Sequence, residues 1–305
     1  VTAGGRGRRA PTLLVVGARG QVGYELVREL APLGTVVAFT RAECDLGDPA
    51  VAAAAVRAAR PSVVVNAAAY TAVDRAEQEP DAARLANAEA PGAMAAAAAE
   101  CGAPFVHYST DYVFDGAKDG PYAEADATNP LGVYGRTKLD GERAVAAVNP
   151  AHLVFRTSWV YGARGQNFAR TMLRLARERE ELRVVADQVG APTWARAIAA
   201  GTAQIVGAAL RSGDGAQAWT AEHAGVYHLA SAGETSWHGF AEAVLAADPA
   251  RDEQRARRVV PIATTDFPTP ARRPANSRLD SGRAAERLGV RIPDWRDQLR
   301  LALAP

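Results

Sequence analysis

Tyr134 and Lys138 stand four residues apart in the stretch NPLGVYGRTKLDGE, residues 129–142. On a helix opened by Asn129 and Pro130, that spacing puts both side chains on one face, one turn apart. The lysine is unusual for this chain, which carries 33 arginines and only two lysines, Lys118 and Lys138. Arg136 and Arg143 already supply cations to the same segment. A lysine ammonium is a compact charge with rotatable donors. It can bond a ribose hydroxyl and lower a nearby phenol's pKa from about 10. Each unit of lowering favours the phenolate by about 1.4 kcal/mol. The expected chemistry is general-acid catalysis, with Tyr134 giving a proton to a carbonyl oxygen as a hydride arrives. A third group should polarise that carbonyl. The segment YSTDYVF offers Ser109 and Thr110 at the end of an apolar run, and Thr110 is the preferred candidate.

A hydride needs a donor, and VVGARGQVG supplies a place for one. Gly17, Gly20 and Gly23 recur at three-residue spacing between an apolar run and an amphipathic segment. Glycines there let backbone N–H groups approach a pyrophosphate, and a helix N-terminus adds its positive dipole end. Arg19, Gln21 and Val22 lie within the same loop. After the second apolar run the chain reads FTRAE, with Thr40 and Arg41 where an acid would bond the ribose 2′-hydroxyl of NADH. A guanidinium suits a 2′-phosphate, so NADPH is the expected cofactor, with NADH possible. Asp45 and Leu46 are placed to hold the adenine edge and face. Ala67, Ala68 and Ala69, in NAAAY, leave room for a dinucleotide across the sheet edge.

These groups need a scaffold that brings strand ends together. TLLVV (12–16), TVVAF (35–39), SVVVN (62–66), PFVHYS (104–109) and HLVFRTS (152–158) lack polar alternation and read as strands buried on both faces. Helical segments separate them. The first is stopped before Pro32, another opens at Asp48 with Pro49 in its first turn, and an alanine-rich one spans roughly 81–100 and ends near Gly102. The strand–helix alternation predicts an α/β fold, a Rossmann-type doubly wound parallel sheet. GVYHLA (225–230) reads as one more strand of it. The expected organisation is a nucleotide-binding domain over 11–162 and 195–230, a smaller α/β substrate-binding lobe over 163–194 and 231–305, and a flexible basic tail over 1–10.

Composition narrows the function classes. The net charge is +1, of which Arg6, Arg8 and Arg9 contribute three positive charges, so the rest is slightly acidic and no nucleic-acid surface is expected. The N-terminal tail lacks the apolar stretch of a signal peptide, and no apolar run approaches the length of a membrane span. Cys44 and Cys101 form no metal or redox motif, and the five histidines have no zinc-like spacing. A cytoplasmic protein without a metal is the expectation.

With these motifs in hand, the chain resembles the extended short-chain dehydrogenase/reductases and, within them, the dTDP-4-dehydrorhamnose reductase family. The match runs from Leu13 nearly to the C-terminus: GARGQVGYEL, VVVNAAAYTAVDRAE, VHYSTDYVFDG, NPLGVYGRTKLDGE, FRTSWVYG, NFARTMLRLA, DQVGAPT and PARRPANSRL. The resemblance implies hydride transfer from NADPH or NADH to C4 of a dTDP-4-keto-6-deoxyhexose. Tyr134 would supply the proton, Lys138 would hold the nicotinamide ribose and Thr110 the keto oxygen. It further implies a sugar pocket lined by Val73, Asp111, Tyr112 and Trp159, with Gln188, Pro192 and Arg273 toward the nucleotide and diphosphate. Some relatives dimerise through magnesium held by glutamates. Here Glu25 keeps one such acid while Arg196 and Arg296 occupy the others. Cations cannot ligate Mg²⁺, so no magnesium-bridged dimer is expected, and the oligomeric state stays open. A reductase or epimerase for another dTDP-deoxysugar, and a non-catalytic NADP-binding subunit like the β subunit of methionine adenosyltransferase, are the alternatives.

Overall fold

The computed structural model describes residues 10–304, so the expected basic tail falls, all but Ala10, outside the described residues. Six parallel strands form the central sheet: β1 (Thr12–Val16), β2 (Thr35–Phe39), β3 (Val63–Asn66), β4 (Phe105–Thr110), β5 (His152–Thr157) and β6 (Gly225–His228), in the order β6-β5-β4-β3-β1-β2. The order reverses beside β1, so the crossovers leave helices on both faces.

Alternate residues of β1 feed opposite cores. Leu13 and Val15 pack with Leu26 of α1 (Gln21–Glu29) and with Ile198 and Ile205 of α6 (Ala195–Arg211). Leu14 and Val16 pack with Val56 of α2 (Pro49–Ala59) and Met94 of α3 (Ala90–Glu100). Each strand therefore reads as an unbroken apolar run. β2 is the exception: it lies at the sheet edge, leaving Thr35 and Ala38 exposed, where burial on both faces was expected.

Helix α2 starts as its sequence indicates, with the Asp48 carboxylate accepting from the N–H groups of Ala50 and Val51. The expected helix over 81–100 is not one regular helix. Between a turn at Pro80–Arg84 and α3 lies a five-residue π segment, Leu85–Glu89. It turns Asn87 inward, where the side chain accepts from Tyr70 N at 2.8 Å and donates to Tyr70 O at 3.1 Å and Thr137 Oγ1 at 3.2 Å. That clamp ties the loop after β3 to α4 (Val133–Val148), the helix carrying Tyr134 and Lys138.

Past β5, a third core joins Met172 of α5 (Phe168–Glu178), Phe240 of α7 (Trp237–Ala246), and Trp295 and Leu299 of α8 (Trp295–Ala302). Two strands there, Glu181–Val185 and Arg258–Ile262, pair in parallel. The second of them, split by Pro261, carries no strand signal in the sequence. Among the described residues no helix is long and apolar enough to cross a membrane.

Candidate active site at the carboxyl edge of the sheet

The glycine loop is a cradle built by close backbone approach. Gly17 has φ +83°, and a Cβ there would stand 2.7 Å from Ala68 N, so the loop leans directly on the chain leaving β3. The N–H groups of Gly17 and Ala18 both donate to Phe39 O, fixing the loop to the end of β2. Helix α1 follows with Gly20 as an N-cap that has no side-chain hydrogen bond, so among the described residues its first-turn donors are left for a ligand. These residues fit a dinucleotide pyrophosphate. Gln21 also ties the loop to the far lobe, because its Oε1 accepts from Asn167 Nδ2 at 2.9 Å. Val22 packs against the core and Arg19 is exposed. Gly17→Ala should cost more than about 1 kcal/mol of stability and abolish dinucleotide binding, readable in a thermal melt with and without NADPH.

At the end of β2, the Arg41 side chain is 87% exposed and its Nε lies 3.4 Å from Asp45 Oδ1. Asp45 also accepts from Gly47 N at 2.9 Å. Leu46 is buried in the core with Cys44 and Val16, so little of it can face an adenine. Glu43 went unnoticed in the sequence. Its carboxylate accepts from Thr40 N and Thr40 Oγ1 at 2.8 and 2.6 Å, and these bonds hold it below the usual carboxylate range. Ala67, Ala68 and Ala69 are half-buried at the end of β3.

At the end of β4, the two hydroxyls have different partners. Ser109 Oγ donates to Glu142 Oε1 at 2.5 Å, inside a buried ion pair. Thr110 Oγ1 donates to Asp111 Oδ1 at 2.9 Å and accepts from Tyr112 N at 3.2 Å. Burial pushes the Asp111 carboxyl up to about 6, and Ser277 and Thr110 pull against that rise. Tyr112 meets the Tyr134 ring edge-on, with centroids 5.7 Å apart.

The expected acidification of Tyr134 by Lys138 does not appear. Burial pushes the phenol up to about 12, opposed by Thr110 and helped by Asp111. Lys138 Nζ turns toward the sheet instead. It donates to Tyr108 O at 2.6 Å and lies 3.3 Å from His107 Nε2. Burial holds its ammonium down, to about 8, against the pull of Glu142. Spacing placed the two side chains on one face but could not say which way the long lysine stem bends.

Three features hold α4 here, none prominent in the sequence. A Cβ on Gly135 would stand 2.1 Å from Tyr112 O, so only glycine lets Tyr134 sit this close to the β4 turn. Glu77 Oε1 accepts from Val133 N at 2.7 Å, capping the helix. Near the middle of the helix, Glu142 takes a bidentate bond from Arg156 of β5, at 2.9 and 2.7 Å, with both side chains at most 5% exposed.

A cleft opens beside Tyr134 and Tyr112, bounded by Val73, Ala271, Arg272 and Pro274. Arg272 borders it, whereas Arg273, the expected diphosphate ligand, donates to Asp74 Oδ2 at 2.9 Å. Trp159 holds φ +46°, a strained value for a bulky residue. Its indole stacks on Trp237, 3.6 Å between centroids, and lies so close to Gly190 that a Cβ there would fall 2.6 Å from the ring. Trp237 was missed because its partner is distant in sequence. Gln188 is buried, accepting from Trp237 Nε1 and donating to Thr264 Oγ1, and Pro192 is buried nearby in the chain. Arg196 pairs with Glu29 at 3.2 Å, and among the described residues no three His, Cys, Asp or Glu side chains gather as metal ligands would.

The chain is similar to known proteins along nearly its whole length. The family model described as RmlD substrate binding domain matches residues 11–305. A dTDP-4-dehydrorhamnose reductase from Burkholderia thailandensis is 56% identical over 287 residues, covering 93% of this chain and 95% of that protein. The crystal structure of a dTDP-4-dehydrorhamnose reductase from Clostridium acetobutylicum superposes with a TM-score of 0.86 at 34% identity, covering 96% of this chain and 98% of that one. The enzyme of that name from Bacillus anthracis, solved in complex with NADP, gives 0.85 at 31% identity with the same coverage. Matched by that family model over residues 11–305 and by relatives of that name over nearly its whole length, the chain belongs to the dTDP-4-dehydrorhamnose reductase family.

Proposed function

We infer that this chain reduces the C4 ketone of dTDP-4-dehydro-6-deoxy-L-mannose to dTDP-L-rhamnose, with NADPH preferred over NADH. The observation that carries the reading is the convergence of Thr110, Tyr134 and Lys138 on the edge where the Gly17 loop lies and α1 begins. Relatives of that name over nearly the whole chain favour it above a regulatory subunit or a reductase for another deoxysugar. NADPH in the cradle supplies the hydride for C4. Lys138 holds the ribose hydroxyls, and Thr110 donates its hydroxyl to the keto oxygen in place of Asp111. Tyr134, neutral across the physiological range, gives its proton as that oxygen becomes an alkoxide. Val73, Asp111, Tyr112 and Trp159 surround the sugar. Gln188, Pro192 and the Arg272–Arg273 pair lie toward the nucleotide and diphosphate, Arg273 exchanging Asp74 for phosphate oxygens. Cys44 and Cys101 are both free thiols, which supports a reducing, cytoplasmic setting.

The test is NADPH consumption at 340 nm with the dTDP-4-keto-6-deoxy-L-mannose acceptor, followed by assignment of the product's C4 configuration. A product other than the rhamnose configuration refutes the substrate assignment. Arg41 is exposed and tethered only loosely to Asp45, so it is free to swing onto a 2′-phosphate. Arg41→Ala should weaken NADPH by about 10- to 100-fold, the worth of a charge-assisted pair, and leave NADH nearly unchanged in a fluorescence titration.

A further inference from the structure

The surroundings of Lys138 form a chain of hydrogen bonds with only one consistent direction. Ala68 N meets Asn66 Oδ1 at 3.1 Å, Asn66 Nδ2 meets His107 Nδ1 at 3.1 Å, and His107 Nε2 meets Lys138 Nζ at 3.3 Å. Asn66 and His107 are fully buried and Lys138 nearly so. A backbone N–H can only donate, so Asn66 must turn its oxygen to Ala68. That leaves its NH₂ facing the imidazole, which obliges Nδ1 to accept. A neutral imidazole carries one proton, so the proton sits on Nε2 and points at Lys138. Protonating both nitrogens is opposed by burial and by the lysine charge, which hold His107 well below its ordinary range.

A neutral amine accepts that Nε2–H; an ammonium cannot. Reversing the chain to suit the ammonium sets donor against donor at Ala68, and a buried mismatch of that kind is costly. We propose that His107, oriented by Asn66 and the Ala68 backbone, is a positioning residue that sets the protonation of Lys138 by presenting it with an N–H rather than an acceptor. When Lys138 is neutral every link pairs, and its proton has gone to solvent; when Lys138 takes a proton, one link in the chain fails. The other ionisable groups facing Lys138 are Tyr134 one turn before it and Glu142 one turn after, the latter already bound by Arg156 from β5 and by Ser109 from β4. Neither is hydrogen-bonded to the amine, and the Tyr108 carbonyl, which does accept from Nζ at 2.6 Å, takes an N–H from the neutral amine and the ammonium alike, so the contact that tells the two forms apart is the one with His107. If Lys138 works as the reductase reading has it, this chain also sets the alkaline limit of turnover.

The scarcity of lysine makes the test direct. In protein labelled with ¹³C-lysine, only Lys118 and Lys138 report, and Lys118→Arg assigns them. Wild-type Lys138 should titrate well below the ordinary lysine range. His107→Gln can offer a carboxamide oxygen to Nζ, and Asn66→Ala frees Nδ1 to carry the proton. Either change should lower the acid dissociation constant of Lys138 by at least about tenfold, one pKa unit upward. The alkaline limb of NADPH consumption should move up with it. Should His107→Gln fail to fold, Asn66→Ala and the same titration decide. A Lys138 titration that stays in place or moves down overturns the proposal, even where activity falls. The titration needs no substrate, so it stands apart from the wild-type assay that tests the reductase reading.

Discussion

Tyr134→Phe lowers turnover by at least about a hundredfold, the usual contribution of a positioned general acid, and leaves NADPH affinity unchanged. The substitution removes one oxygen and keeps the ring, whose edge still meets Tyr112. Glu77 and Gly135 hold the helix without help from the hydroxyl. A hundredfold is about 2.7 kcal/mol of barrier. That figure is reasonable for a phenol whose burial pushes it up to about 12 and so keeps its proton until an oxyanion forms beside it. Steady-state kinetics and a fluorescence titration separate the two effects, and near-normal turnover would remove Tyr134 from the proton-donor role.

Arg156→Met should destabilise the fold by about 3–5 kcal/mol, the loss expected when one partner of a buried ion pair is removed. Among the described residues its guanidinium is the only charged group hydrogen-bonded to the Glu142 carboxylate, and it lies over the Phe114 ring at 5.0 Å. Without it a carboxylate of the helix that carries Tyr134 stays buried with Ser109 as its hydrogen-bond partner. The double change with Glu142→Leu should recover much of the loss, because two apolar groups leave no uncompensated charge. Urea unfolding of both variants reads the difference. Equal losses in the single and double variants would show that the pair's packing, rather than its charge, matters.

Much of this architecture is legible in the residues because strands buried on both faces leave unbroken apolar runs. The ends of β1 and β2 fall where those runs end, and β3 to β5 shift by about a residue. Burial of β2 was misread, since an edge position comes from strand order, which no local pattern encodes. Alanine concealed the π turn: in the segment LANAE only Asn87 and Glu89 are polar, and its composition suits a regular helix. Tyr134 and Lys138 stood out because lysine is so rare here. The bend of Lys138 toward Tyr108 O could not be read, because His107 and Tyr108 arrive from a strand with no spacing relation to it. The same holds for Trp237 against Trp159 and for Asp74 against Arg273, each pair joined only by the fold.

The place of β6 has a consequence for biogenesis. This strand covers the outer edge of β5, yet it is synthesised after α5 and α6. A nascent chain can therefore assemble five strands and the helix bearing Tyr134 while the β5 backbone still shows unpaired amides and carbonyls. Such a border invites strands from other chains. Ribosomal stalling or proteolysis upstream of Gly225 would thus yield fragments prone to aggregate, and quality control must clear them before they seed it.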